Sequence, residues 1–302
     1  MKRCAAQWGG PIPTLGSQPT GESARRVGWL AGAALALLLA PAVAVAQSVT
    51  DLASPAELRV CADPANLPFS NEKGEGFENR IADLLGHAMN VSVTYVWFPQ
   101  VVGFVRNTLY AQRCDVVMGT VAGSDMMDTT NPYYHTGYMI VTRSDDDIAA
   151  TSLSDPSLAV KRFGLIAATP PTDLLLRHGL MPQVTSYALT VDTRYDSPSH
   201  DMLHDLTDRK IDVALLWGPF AGYYIKRDSL PFHAAFLQAE GPVRLDYRIA
   251  MGVRPNEPAW RRRLNELIRT NQDAITGILV SYGVPLLDEQ NRPIDPATVH
   301  TP

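Results

Sequence analysis

The stretch LRVCADPANLPFSNEKGEGFENRIADLL at residues 58–85, followed by VSVTYVWFPQ at 91–100 and RCDVVMGTVAG at 113–123, decides the fold. LRVCA (58–62) reads as a short strand, and Asp63 to Pro68 as an irregular loop, because its prolines cannot donate to a ladder. Phe77, Ile81, Leu84, Leu85 and Ala88 then fall at helical spacing, while Val91, Val93, Tyr95 and Trp97 alternate as a strand does. A second helix is expected over about Val101 to Gln112 and a short buried strand at DVVMG, 115–119. Strand, helix, strand, helix, strand implies an α/β unit with a parallel sheet, whose ligands meet the carboxyl ends of the strands. The loops opening at Asp63, Trp97 and Thr120 are therefore candidate site segments.

Working outward, the pattern repeats. A strand at 162–167, the loop Thr169-Pro170-Pro171-Thr172, a helix from Asp173 to about His178 and a strand near 184–188 come first. An apolar helix stripe of Met202, Leu203 and Leu206 and a buried strand at IDVALLW (211–217) follow, closed by a Gly218-Pro219 break. Tyr134 to Asp147 joins the two units, and YRIAMGV (247–253) reads as a strand returning to the first. Trp260, Leu264, Leu267, Ile268, Ile275, Ile278, Leu279 and Tyr282 predict one long amphipathic helix. Periodicity is lost after Pro285, which predicts a loosely ordered tail. The expected architecture is two-lobed α/β: two parallel-type sheets flanked by helices with a hinge between lobes. Lobe 1 is residues 55–140 plus 247–302, and lobe 2 is residues 141–246.

Residues 1–46 read as a signal peptide: Lys2, Arg3, Arg25 and Arg26 precede an uncharged Ala/Leu-rich run, and Ala44 and Ala46 frame a cleavage site before Gln47. The competing reading, an uncleaved anchor, is disfavoured by Pro41, which breaks the run near that site. Cleavage would leave a 256-residue periplasmic chain with nothing further of membrane-spanning length. Of 26 basic and 31 acidic residues the leader takes 4 and 1, leaving 22 and 30, a net charge of −8 that argues against nucleic acid as partner. Cys61 and Cys114 are the two cysteines beyond the leader, in a compartment where disulfides persist. Either they are bridged or they are two small buried residues too far apart to join.

In order and spacing, LRVCADPANLPFS, GFENRIADLL, CDVVMG, NPYYHTGYMIVTR (131–143) and YRIAMGVRPNEPAW (247–260) resemble the periplasmic solute-binding proteins of amino-acid-type transporters, family 3. CADPANLPFSN, WFPQ, RCDVVMGTVAG, TTNPYY and LLWGPFAGYY (215–224) are similar to a branch associated with quinoprotein (methanol-type) dehydrogenases. The resemblance implies a type II binding-protein fold and a dehydrogenase polypeptide as partner. The departures are as informative. Such amino-acid binders place an Arg after the third strand for the ligand carboxylate, yet no Arg or Lys occurs between Gly119 and Tyr133. They place an Asp after the strand equivalent to 211–217 for the ligand ammonium, where Trp217-Gly218-Pro219-Phe220 stands. A zwitterion would lose both charge partners, at a cost of several kcal/mol.

The candidate cleft residues are thus Asp63, Asn66, Phe69, Trp97, Phe98, Thr120, Tyr133, Thr169, Thr172, Trp217 and Phe220, aromatic and neutral save Asp63. That composition suits a protein partner or a small apolar or aromatic ligand. Two other readings stand beside the accessory role: a transport receptor for a small neutral or aromatic solute, and a dehydratase-like enzyme using Asp63 as general acid. No cofactor is expected in the cleft, since a tricarboxylate quinone would ask for several converging cations. His200 and His204 have metal-ligand spacing but no evident third ligand, so no metal is expected. Gly74-Glu75-Gly76 reads as a turn and Arg261 to Arg263 as a solvated helix face.

Overall fold

Residues 51–299 are described by the computed structural model; the expected signal peptide lies outside them. In chain order the strands are β1 Glu57–Ala62, β2 Ala65–Asn66, β3 Ser70–Asn71, β4 Ser92–Trp97, β5 Val116–Val121, β6 Asp128–Thr129, β7 Tyr134–Arg143, β8 Phe163–Ile166, β9 Val184–Tyr187, β10 Val213–Trp217, β11 Phe232–Phe236 and β12 Asp246–Val253. The helices are α1 Phe77–Met89, α2 Phe104–Asn107, α3 Pro171–Arg177, α4 Pro198–Thr207, α5 Gly218–Arg227, α6 Pro258–Thr270 and α7 Gln272–Ser281. β1 pairs in parallel with β4 and β5, and β8 with β9 and β10, as alternating strands and helices require.

Two long strands join these parallel groups. β12 lies antiparallel between β5 and β7, and β7 continues antiparallel to β10, giving the path β4-β1-β5-β12-β7-β10-β8-β9 in one mixed sheet. Residues 134–137 of β7 pair with β12, residues 138–142 with β10 and residues 139–143 with β11, so a single strand serves both halves. Both faces are covered. In the first half Leu58, Val60, Ile81, Leu85, Met251 and Leu264 pack on one face, and Cys61, Phe104, Leu109 and Val117 on the other. The second half has its own pair of clusters, built around Phe163, Leu174 and Leu215 and around Met202, Leu206 and Leu216.

Cys61 and Cys114 form a disulfide with Cα atoms 5.4 Å apart, which resolves the open alternative in favour of the bridge. Next to it Asp115, almost fully buried, accepts from Arg59 at 2.7 Å and from Arg254 at 2.6 Å. Burial disfavours the carboxylate, but the two guanidiniums outweigh it and hold Asp115 below the usual range. The network ties β1, β5 and the chain after β12 at one end of the sheet.

Several expectations change. The helix expected over 101–112 shrinks to α2, because Gly103 enters at φ 96° and the Thr108 hydroxyl bonds back to the Phe104 carbonyl. The single helix expected from Trp260 to Tyr282 is two, α6 and α7; the Asn271 side chain donates to Leu267 O at 2.8 Å and closes α6 there. The chain after Pro285 is irregular but not loose at its start: Leu286 and Leu287 are buried, and Thr136 donates to Pro285 O at 2.6 Å. Gly218-Pro219 opens α5 instead of ending order, a first-turn position that proline's fixed φ suits.

Candidate functional site

Between the halves lies a cleft of about 590 Å³ at the carboxyl ends of the parallel strands. Its first-half wall comes from the β2–β3 hairpin with Asn66 and Phe69, from Gln100, from the end of β5 at Gly119 and Thr120, and from Glu78 on α1. Its second-half wall comes from Ile166 ending β8, Thr169 beyond it, Ala188, Leu189, Val191, Thr193 and Asp196 before α4, the first turn of α4, Trp217 ending β10 and Phe220 on α5. Tyr134 and Tyr138 on β7 and Tyr247 on β12 form the back where the shared strands cross. The Trp217 ring lies 5.2 Å from Tyr138 and 6.0 Å from Tyr247, and Phe69 meets Phe220 edge-on at 5.2 Å across the gap. The lining carries no Arg, Lys or His.

Of the sequence candidates, Asn66, Phe69, Thr120, Thr169, Trp217 and Phe220 meet in this lining. The Thr169 hydroxyl is turned back onto Ile166 O at 2.6 Å. Trp97 stacks on Tyr95 with centroids 4.6 Å apart, and Phe98 packs near Phe104 on the other face of β4. Tyr133 is buried and donates to Met118 O at 2.7 Å, its phenol pushed well up by burial. Thr172 sits half-buried in the first turn of α3. Asp63, fully buried, organises its loop: its carboxylate accepts from Ala65 N–H, from Gln100 N–H at 2.7 Å and, across the cleft, from the Thr193 hydroxyl at 2.6 Å.

Glu78 was missed in the sequence, and it is the polar group most enclosed by the cleft. It is 5 % exposed, and its carboxyl lies over Gly119 so closely that a Cβ there would come within 2.3 Å of Oε1. Burial first, and the Asp63 carboxylate second, push its acid up to about 8. A signal existed: Glu78, Ile81, Ala82 and Leu85 share one helical stripe, so a charge stands on the buried face. Tyr138, Tyr247 and residues 188–199 were also unforeseen, because they lie on crossing strands and an aperiodic loop.

Elsewhere, Arg143 is locked onto Leu206 O and Ile211 O at 2.7 Å and does not reach the cleft. His204 faces Asp208 at 3.4 Å and His200 faces Asp228 at 3.7 Å. Among the described residues no group of three or more His, Cys, Asp or Glu is placed to hold a metal ion.

Two α/β halves stitched by crossing strands around an interior cleft define the periplasmic-binding-protein fold. The chain belongs to the bacterial extracellular solute-binding proteins, family 3, whose pattern matches residues 58–276. As a member it is periplasmic, and no helix among the described residues is long and apolar enough to cross a membrane. It is 29% identical over 280 residues to protein MoxJ of Methylorubrum extorquens, covering 85% of this chain and 93% of that one. The crystal structure of periplasmic binding protein XoxJ from Methylobacterium extorquens AM1 is 39% identical, with TM-score 0.66, covering 77% of this chain and all of that one. MxaJ from Methlophaga aminisulfidivorans MPT is 25% identical, with TM-score 0.66, over 76% of this chain and 100% of its own.

Proposed function

We propose that the protein is a non-catalytic periplasmic accessory of a quinoprotein, methanol-type dehydrogenase, using the cleft and its rim to recognise the enzyme or assist its maturation. The similarity to MoxJ, XoxJ and MxaJ and the resemblance to the dehydrogenase-associated branch support this partner. The observation that carries it is the lining: aromatic side chains with no cationic group. An amino acid's carboxylate would be buried without a counter-charge there, and a tricarboxylate quinone three times over. The residues therefore do not fit free quinone as a ligand. Asp63, the carboxylate an enzymatic reading needs, is occupied as a loop-organising acceptor. Residues 55–140 plus 247–302 and 141–246 serve as the two jaws. A second reading, receptor for a small neutral or aromatic solute, draws support from the cleft volume, which lies in the small-ligand range.

Trp217 and Phe220 are the anchors expected to matter most, as aromatic groups at the centre of a desolvated surface. The test is co-purification of exported mature protein with the cognate dehydrogenase, apo and cofactor-loaded. A complex that Trp217→Ala abolishes, with an unchanged circular-dichroism spectrum, is the expected result. Micromolar binding of a common amino acid, or tight binding of free quinone with no affinity for either dehydrogenase form, overturns it.

A further inference from the structure

The other buried carboxylates of the first half have partners: Asp115, at the far end of β5 from the cleft, has two guanidiniums, and Asp63, beside the cleft, has two N–H groups and a hydroxyl. Glu78 has none among the described residues, although it is 95 % buried and lines the cleft. The groups around it explain why. The loop after β1 brings Asp63, β4 brings the Tyr95 phenol, and the Tyr133 and Tyr134 phenols come from the residue before β7 and from its first residue. β3 and β5 carry no titratable side chain, Asp273 of α7 is exposed, and Arg80 and Asp83 on α1 itself are exposed. No cation faces the carboxyl, so at neutral pH it is held as the acid, its ionisation pushed up to about 8 by burial and then by Asp63. A carboxylic acid presents an O–H donor beside a C=O acceptor, the complement of a carboxamide's C=O and N–H. The carboxyl opens on the cleft without a protein partner, so a ligand that closes the site over it must pair with it or leave a desolvated donor unmet.

We propose that Glu78, as a neutral carboxylic acid, is the specificity-determining residue of the cleft, donating to the carbonyl oxygen of an uncharged, amide-like group whose apolar body lies among Trp217, Tyr247, Phe69 and Phe220. The inference rests on this cleft being a binding site and does not depend on which partner supplies the group. A cationic ligand would require a newly ionised Glu78 and a buried ion pair, whose desolvation cancels much of its attraction. An anion would meet the Asp196 carboxylate and no counter-charge in the lining.

The test is calorimetric titration of the exported mature protein with three probes of one shape, benzamide, benzylamine and benzoate, from about pH 6 to pH 10. Benzamide is expected to bind with an affinity that is flat up to neutral pH. Above about pH 8 it should fall roughly tenfold per unit, as only the acid form binds. Glu78→Gln, which keeps a donor and an acceptor, should retain benzamide binding without that pH dependence, and Glu78→Ala should weaken it roughly tenfold or more. Benzylamine binding that strengthens through pH 8, tighter binding of benzoate than of benzamide, a flat benzamide profile in the unsubstituted protein, or no binding by any probe overturns the inference. Dehydrogenase capture that persists under any of those outcomes leaves the proposed function standing, so the two fail separately.

Discussion

Asp63 and Glu78 show how little a residue's identity says about its role until its partners are known. Both are buried carboxylates of the first half, but one collects donors and the other faces aromatic rings. The energetic consequence is visible in stability. The folded acid of Glu78 sits well above its unfolded value near 4.5, so its contribution is fully present below that value and is lost as pH rises through about 8. Glu78→Gln should therefore match the unsubstituted protein near pH 4, while at about pH 9 it should be the more stable by up to about 5 kcal/mol. Urea denaturation at the two pH values reads the difference; a gap of equal size at both would contradict the assignment. Asp63 was legible as a loop residue because Pro64 and Pro68 follow it. Glu78 was not, because α1 was traced through Phe77, Ile81, Leu84, Leu85 and Ala88, and a glutamate next to that stripe reads as solvent-facing until Gly119 is seen beneath it.

At the scale of elements, alternation and periodicity placed β1, α1, β4, β8, β9, β10 and β12 within a residue or a few of their observed bounds and gave the buried stripe of α4. What they missed has local physical causes. α2 and the α6–α7 junction are set by side-chain hydroxyl and amide groups competing for helix carbonyls, which an apolar pattern does not register. β11, Phe232–Phe236, lies on the edge of β7 with half-buried alternate residues and little apolar contrast. The Cys61–Cys114 bridge links β1 to the chain two residues before β5 and closes a loop of 53 residues. In the chain-entropy account that is worth about 4 kcal/mol, so Cys61→Ser with Cys114→Ser should lose roughly 2 to 4 kcal/mol in urea and become insensitive to reductant. An unchanged midpoint would mean the Asp115 network alone fixes that end of the sheet.

At the scale of the whole molecule, three contacts draw the mouth of the cleft together: Thr193 to Asp63 at 2.6 Å, Tyr224 OH to Leu67 O at 3.3 Å, and Phe69 against Phe220 at 5.2 Å. Thr193→Val keeps the volume but removes the hydroxyl, leaving the Asp63 carboxylate one donor short. It should expose residues 63–70 and 188–199 to faster hydrogen exchange and enlarge the radius of gyration in small-angle scattering, with exchange in β1 and β8 unchanged. Equal exchange in those loops would show that the latch carries no weight. The shared strands bear on biosynthesis too. The first half needs β12, α6 and α7 to cover its sheet, through Ile249, Met251, Leu264 and Leu279, and all four are translated after the entire second half. The half translated before the other is therefore the last to acquire its core, so that part of the nascent chain is expected to stay slack and threadable until β12, α6 and α7 have emerged.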